Sequence, residues 1–160
     1  MCTPHVTATK LLDRKQEITI GNHSLRFESG YRIVTLYSTD IIAIDDKMEV
    51  FVENFGRYHT PTTYKAISAY KSRLLRKGYK NLTDTLRTID AYRSLAVKNK
   101  QKVLKMQNRK SPIPKAKMRE RLEMIDNLKL DAERFEVLAE KMDLELEMYR
   151  GFINKYVESY

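Results

Sequence analysis

The sequence predicts an α+β protein: a small antiparallel sheet closed by one helix, followed by a long antiparallel helical hairpin of coiled-coil character. Three observations carry this expectation. Short runs before residue 60 alternate apolar and polar side chains, the period of strands with one buried face. After residue 60 the apolar spacing changes to threes and fours, and only five Gly and four Pro interrupt the 160 residues. Charge is also laid down in blocks. Residues 61–121 carry 18 Lys and Arg against Asp84, Asp90 and Glu120, whereas 1–60 carry 7 against 8 acidic residues and 122–160 carry 5 against 10.

Taken in order, Thr7 to Lys15 fits a short helix and an extra strand equally well. Strands are expected at Glu17 to Ile20, His23 to Glu28, Tyr31 to Tyr37, Ile41 to Ile44 and Met48 to Glu53. Gly21-Asn22, Ser29-Gly30 and Asp45-Asp46-Lys47 supply turn chemistry between them. Leu25 and Phe27 point one way and Arg26 and Glu28 the other. In the last strand Glu49 and Glu53 are placed on a solvent face.

Thr60-Pro61 starts a helix, with Thr at the N-cap and Pro at the first helical position. Ile67, Tyr70, Leu74 and Leu75 form its apolar face and Gly78 stops it. Thr83 or Asp84 is the expected cap of the next helix, which runs to about Arg109 through Leu86, Ile89, Tyr92, Ala96, Val103 and Met106. Ser111-Pro112-Ile113-Pro114 then breaks the chain. From about Lys115 to Val157 the sequence holds a heptad, and its helix-pairing positions include Ile125, Leu128, Phe135, Met142, Leu146, Tyr149 and Ile153; only Arg121 is out of character. Such a helix outruns its hairpin mate, so its surplus must cover the sheet, pair with a second copy, or bend at Asn127 or Gly151. The expected division is a small α+β domain over 1–80 and a helical extension over 81–160.

Several chemistries are excluded by spacing. The glycines are scattered, so no phosphate-binding loop is expected. His5, His23, His59 and Cys2 have no metal-ligand spacing. Asp40, Asp45, Asp46, Glu49 and Glu53 are better read as turn and strand residues than as a divalent-metal centre. No Gly-x-Ser-x-Gly elbow is present. The protein is therefore expected to be no enzyme, with no cofactor and no metal. No signal peptide or membrane span is expected, and a single terminal cysteine fits a reducing cytoplasm.

The basic block is the functional signal. Lys65, Lys71, Arg73, Arg76, Lys77 and Lys80 belong to the helix after Pro61, which contains no acidic residue of its own. Lys98, Lys100, Lys102, Lys105, Arg109, Lys110, Lys115, Lys117, Arg119 and Arg121 surround the hairpin turn. So much clustered like charge points to an external anion: a nucleic acid, or an acidic or nucleoprotein partner. The alternative is an assembly module dimerising through the C-terminal coiled coil, its acidic half pairing with the basic middle. Tyr70, Tyr79 and Tyr92 interleave with the charge at core spacing, which reads as packing rather than base stacking.

Tyr37-Ser38-Thr39-Asp40-Ile41, followed by Gly56-Arg57-Tyr58-His59-Thr60-Pro61-Thr62-Thr63-Tyr64-Lys65, resembles a small module of uncharacterised proteins of tailed bacteriophages. There a strand of the S-T-D-I kind leads to a glycine, an aromatic and a T-x-T-T helix start. The resemblance implies a phage or prophage origin, hence the cytoplasm of a bacterial host, and a hairpin followed by a helix. It transfers no catalytic residue. A non-enzymatic accessory or anti-host factor is the function it fits.

Overall fold

The computed structural model describes residues 4–53, 60–109 and 112–157. The protein is α+β, with two compact units: Met1–Asp84 together with Met148–Tyr160, and Thr85–Glu147. The unit boundary falls after Asp84 rather than after residue 80, and the chain from Met148 onward groups with the sheet.

In the first unit, α1 (Pro4–Leu12) precedes a meander of β1 (Ile18–Ile20), β2 (His23–Glu28), β3 (Tyr31–Leu36), β4 (Thr39–Asp45) and β5 (Val50–Glu53). These pair in sequence order, all antiparallel. The turns explain the register. Ser29 and Gly30 both take positive φ (53° and 85°), the two-residue geometry whose twist matches that of the flanking strands, and Glu28 faces Tyr31 across it. Asp45 Oδ1 accepts the backbone N–H groups of Lys47 and Met48 at 2.9 and 3.1 Å, so the Asp45-Asp46-Lys47 connection is held by an Asx turn.

Two features differ from the sequence expectation. After Gly78 (φ 89°) the chain runs back beside β5 as β6 (Lys80–Asn81), parallel to it, which makes the sheet six-stranded and mixed. Lys80 N donates to Glu49 O at 2.9 Å. Strand β5 is buried on both faces, so Phe51 and Glu53 are interior rather than on a solvent face. Glu53 is accommodated there because Lys71 Nζ lies 3.3 Å from it.

One sheet face, with Leu25, Val34, Leu36, Ile42 and Ile44, packs against Ala8, Leu11 and Leu12 of α1 and Ala66, Ile67, Tyr70 and Leu74 of α2 (Pro61–Arg76). Leu75, expected on that apolar face, is 47% exposed; Ile67, Tyr70 and Leu74 suffice to cover the sheet. On the opposite face Ile33, Ala43 and Val52 are buried, and Tyr31 meets Phe152 and Tyr156 of α5 (Arg150–Tyr156) with ring centroids 5.0 and 5.5 Å apart. Arg26 forks onto Asp40 at 2.5 and 2.8 Å on this face.

Thr60 caps α2 as expected, its hydroxyl accepting from Thr63 N at 3.2 Å. Thr60→Ala is expected to cost about 1 kcal/mol in urea unfolding. The cap of α3 (Leu82–Gln107) differs: Asn81 Oδ1 accepts from the N–H groups of Thr83 and Asp84, while Thr83 Oγ1 accepts from Glu53 N at 2.8 Å. Neither Thr83 nor Asp84 is the cap, because the Thr83 hydroxyl serves β5.

Tyr70, fully buried, bonds His23 Nδ1 at 2.9 Å, and burial lowers the His23 pKa below its ordinary 6.5. As pH falls, the unfolded chain takes up this proton first. The contribution is therefore complete above about pH 6.5 and is lost as pH falls toward the lower folded value. The thermal midpoint should drop between pH 7.5 and 5.5, and His23→Gln should remove that part of the drop.

The second unit is the hairpin: α3 from Thr85 onward, a connection with Pro112-Ile113-Pro114, and α4 (Lys115–Leu146). Arg93 meets Asp143 at 2.8 Å and Lys100 meets Glu136 at 2.5 Å. The pairs advance seven residues along α3 and retreat seven along α4, so the helices are antiparallel. The expected single helix to Val157 is interrupted by a 3-10 turn at Glu147–Tyr149, not at Asn127 or Gly151. That turn re-phases the chain so that Phe152, Ile153 and Tyr156 are buried in the sheet unit. No helix among the described residues is long and apolar enough to cross a membrane.

Candidate anion-binding tip

The structure divides the basic block by what each cation already touches. On α2, Lys71 Nζ lies 2.6 Å from Asp84 and 3.3 Å from Glu53, while Arg73 and Lys77 both pair with Asp13, which follows α1. Burial works against the Lys71 charge, but the two carboxylates outweigh it and raise the pKa above the ordinary lysine value. The hydrogen bond from Lys77, with the charges of Lys77 and Arg73, holds Asp13 below the ordinary aspartate range. The uncompensated charge expected on this helix is thus largely compensated, by acids from elsewhere in the fold. Lys65 and Arg76 remain exposed on α2, and Lys80 lies exposed in β6.

The hairpin end is different. Residues 98–121 carry ten Lys and Arg against Glu120 alone. An open cleft of about 630 Å³ lies there, lined by Lys105, Arg109, Lys117, Arg121 and Glu120 around Met106, Pro112, Ile113, Pro114 and Met124. The geometry follows from the sequence. Pro114 takes an extended backbone (φ −53°, ψ 137°), so α4 begins at Lys115, and its first two turns line the cleft together with the end of α3. Those turns carry Lys115, Lys117, Arg119 and Arg121; the last turn of α3 carries Lys105, where it also complements the helix C-terminus. Pro114 caps α4 without a side-chain acceptor, and the first turn holds no acid to take up its N–H groups.

Among the described residues, Lys98, Lys102, Lys105, Arg109, Lys115, Lys117 and Arg121 form no ion pair. Arg119 pairs with Glu123 one turn on at 3.0 Å, both well exposed, and Lys100 is held by Glu136. Lys110 lies outside the described residues, as do Gly56, Arg57, Tyr58 and His59 of the phage-like motif. Arg121, which breaks the heptad in the sequence, lines the cleft; its position two turns from Pro114 was the available signal.

The helix-pairing residues distribute over both units. Ile125 and Leu146 are buried, together with Ala132 and Ala139, at strict seven-residue spacing. Leu128, Phe135 and Met142 are half-buried, and Phe135 stacks on Tyr92 at 5.8 Å. Tyr149 sits in the 3-10 turn and Ile153 in α5, so neither extends the hairpin stripe. Tyr70 is interior and Tyr79 donates to Asp46 at 2.7 Å, so neither tyrosine is placed for base stacking.

No group of three His, Cys, Asp or Glu among the described residues is arranged to hold a metal. A second cavity, of about 420 Å³ in the sheet unit, is lined by Thr7, Asn22, His23, Tyr37 and Thr62 among others and has no charged side chain. Comparison with protein families, with curated proteins and with solved structures yields no match.

Proposed function

We propose that the protein is a non-enzymatic binding protein that engages the phosphate backbone of nucleic acid, free or within a nucleoprotein, through the basic tip of its helical hairpin. The observation that carries this reading is the contrast in pairing. Lys71, Arg73 and Lys77 are matched by Asp13, Glu53 and Asp84, whereas the cations lining the tip cleft have no acidic partner among the described residues. Holding like charges together on exposed helices costs free energy, and an external polyanion that releases its counterions offsets that cost. Among the described residues the cleft is lined by no aromatic side chain, so it offers no platform for base stacking, and its Lys and Arg side chains are suited to phosphate contact. The phage-like motif gives this reading a setting, an accessory factor acting on host nucleic acid or its complexes.

Fluorescence anisotropy with a labelled mixed-sequence duplex tests it. With about five phosphates neutralised, log Kobs should fall against log salt with a slope of about −4.5. Absence of binding at low salt, or a slope near zero, removes the proposal.

A further inference from the structure

We propose that a cavity at one end of the sheet unit binds an uncharged planar ring that accepts hydrogen bonds, of the nucleobase class, with His23 donating to it and the Tyr37 ring stacking on it. Two tight turns build this end of the sheet. Gly21 (φ 60°) and Asn22 join β1 to β2, with Ile20 facing His23 across them, and Tyr37 and Ser38 join β3 to β4, with Leu36 facing Thr39. Tyr37 N donates to Asn22 O at 2.7 Å, which holds the two turns side by side. The cavity measures about 420 Å³, room for a ligand of nucleoside size, and its lining includes Ile20, Asn22, His23, Leu36, Tyr37 and, from the first turn of α2, Thr62.

His23 is prepared as a donor. The fully buried Tyr70 hydroxyl lies 2.9 Å from His23 Nδ1, its one hydrogen-bond partner among the described residues. A buried phenol keeps its proton in a hydrogen bond, so Tyr70 donates and Nδ1 accepts. Burial lowers the His23 pKa and keeps the ring neutral at pH 7, so the ring's own proton sits on Nε2. No hydrogen bond among the described residues takes up that Nε2–H.

Tyr37 is costly where it stands. Its φ of 57° is left-handed backbone that Gly or Asn adopts with less strain, and at 67% exposure its side chain adds little to the core. On the lining of an open cavity, the same ring offers a face for stacking. The rest of the lining selects the class of ligand. It holds no charged side chain, in a chain of which 32% of residues are charged, so an ionic ligand meets no counter-ion there. Ile20, Leu36 and Tyr37 suit a flat apolar face, the His23 Nε2–H calls for an acceptor such as a ring carbonyl, and the Asn22 amide and Thr62 hydroxyl can pair with the rest of the ring edge. The site lies in the sheet unit and does not rest on the reading of the hairpin tip.

Nuclear magnetic resonance of the isotope-labelled full chain, titrated with uridine for its ring carbonyls, tests the site. The backbone amides of Gly21, Asn22, His23 and Tyr37 should shift with a dissociation constant on the order of 0.1–1 mM, as a ligand of that size allows. Methyl glucoside, a neutral polyol without a planar face, should leave them unmoved at the same concentrations. Tyr37→Gly should weaken uridine binding at least about 10-fold, the loss of one stacked base, while the thermal midpoint stays level or rises because the left-handed backbone no longer carries a side chain. His23→Leu with Tyr70→Phe removes the donor and its anchor together, so no buried hydroxyl is stranded, and should weaken binding similarly in a folded chain. No shift of these amides at about 10 mM uridine, equal shifts with the glucoside, undiminished binding in either variant, or a midpoint lowered by Tyr37→Gly would each overturn the proposal.

Discussion

Replacing Lys105, Arg109 and Lys117 together by alanine is expected to weaken duplex binding roughly 100-fold at low salt and to reduce the salt slope by about 2.7, near 0.9 for each phosphate no longer neutralised. All three line the tip cleft, two are exposed lysines and none is engaged by an acid among the described residues, so the fold should tolerate their loss. The weakening should be uniform across sequences, because phosphate contacts position without specifying. The matching control is Lys65→Ala with Arg76→Ala on α2. These are also exposed cations, but they lie outside the cleft, and their removal should change affinity only a few-fold. Equal effects from the two sets would mean that charge acts as a diffuse coat, and the tip would have no special standing.

The largest effect on stability is expected at Lys71. Its ammonium is shared by Asp84 and by Glu53, whose side chain is only 2% exposed, and it ties α2 to β5 and the start of α3. Lys71→Ala removes that cation while leaving the Glu53 carboxylate inside the protein. Breaking a buried pair from one side costs about 3 to 5 kcal/mol, and since Lys71 is itself partly exposed the expected destabilisation is about 2 kcal/mol, roughly 6 °C in thermal midpoint. Replacing both Lys71 and Glu53 by methionine should cost less than the sum of the single changes, since the interaction between them is counted once rather than twice. Urea unfolding of the three variants measures this. Additive effects would show that the pair is not coupled.

Much of the fold was legible because its determinants are local. The Ser29-Gly30 and Asp45-Asp46 turns, the Thr60-Pro61 start and the Pro112-Ile113-Pro114 break each act within a few residues, and each element appears where those signals stand; of the alternating pair in β2, Leu25 is buried but Phe27 is 41% exposed. What the sequence hid is non-local. Lys80–Asn81 is too short to show a period, and it becomes a strand because the chain returns beside β5. Thr83 looks like a cap until its hydroxyl is found on Glu53 N, across the sheet. The long heptad continues past Leu146, yet the helix breaks there because Phe152, Ile153 and Tyr156 find a better environment beside Tyr31.

The candidate site divides in the same way. A run of Lys and Arg is visible in one dimension, but its neutralisation is not. Asp13 lies far from α2 in sequence and Glu53 belongs to β5, and only the fold brings them to Lys77, Arg73 and Lys71. The basic block of 61–121 therefore resolves into a helix whose Lys71, Arg73 and Lys77 are paired and a tip cleft whose cations have no acidic partner among the described residues, a distinction that composition alone does not contain.

The most direct measurement is lysine-acetylation footprinting of the full chain with and without a short duplex, read residue by residue by mass spectrometry. Lys105, Lys115 and Lys117 should become protected by nucleic acid, while Lys71 and Lys77 should react slowly in both states because carboxylates already hold them. Protection centred on Lys65, Lys71 and Lys77, or none at the tip despite binding, would contradict the account.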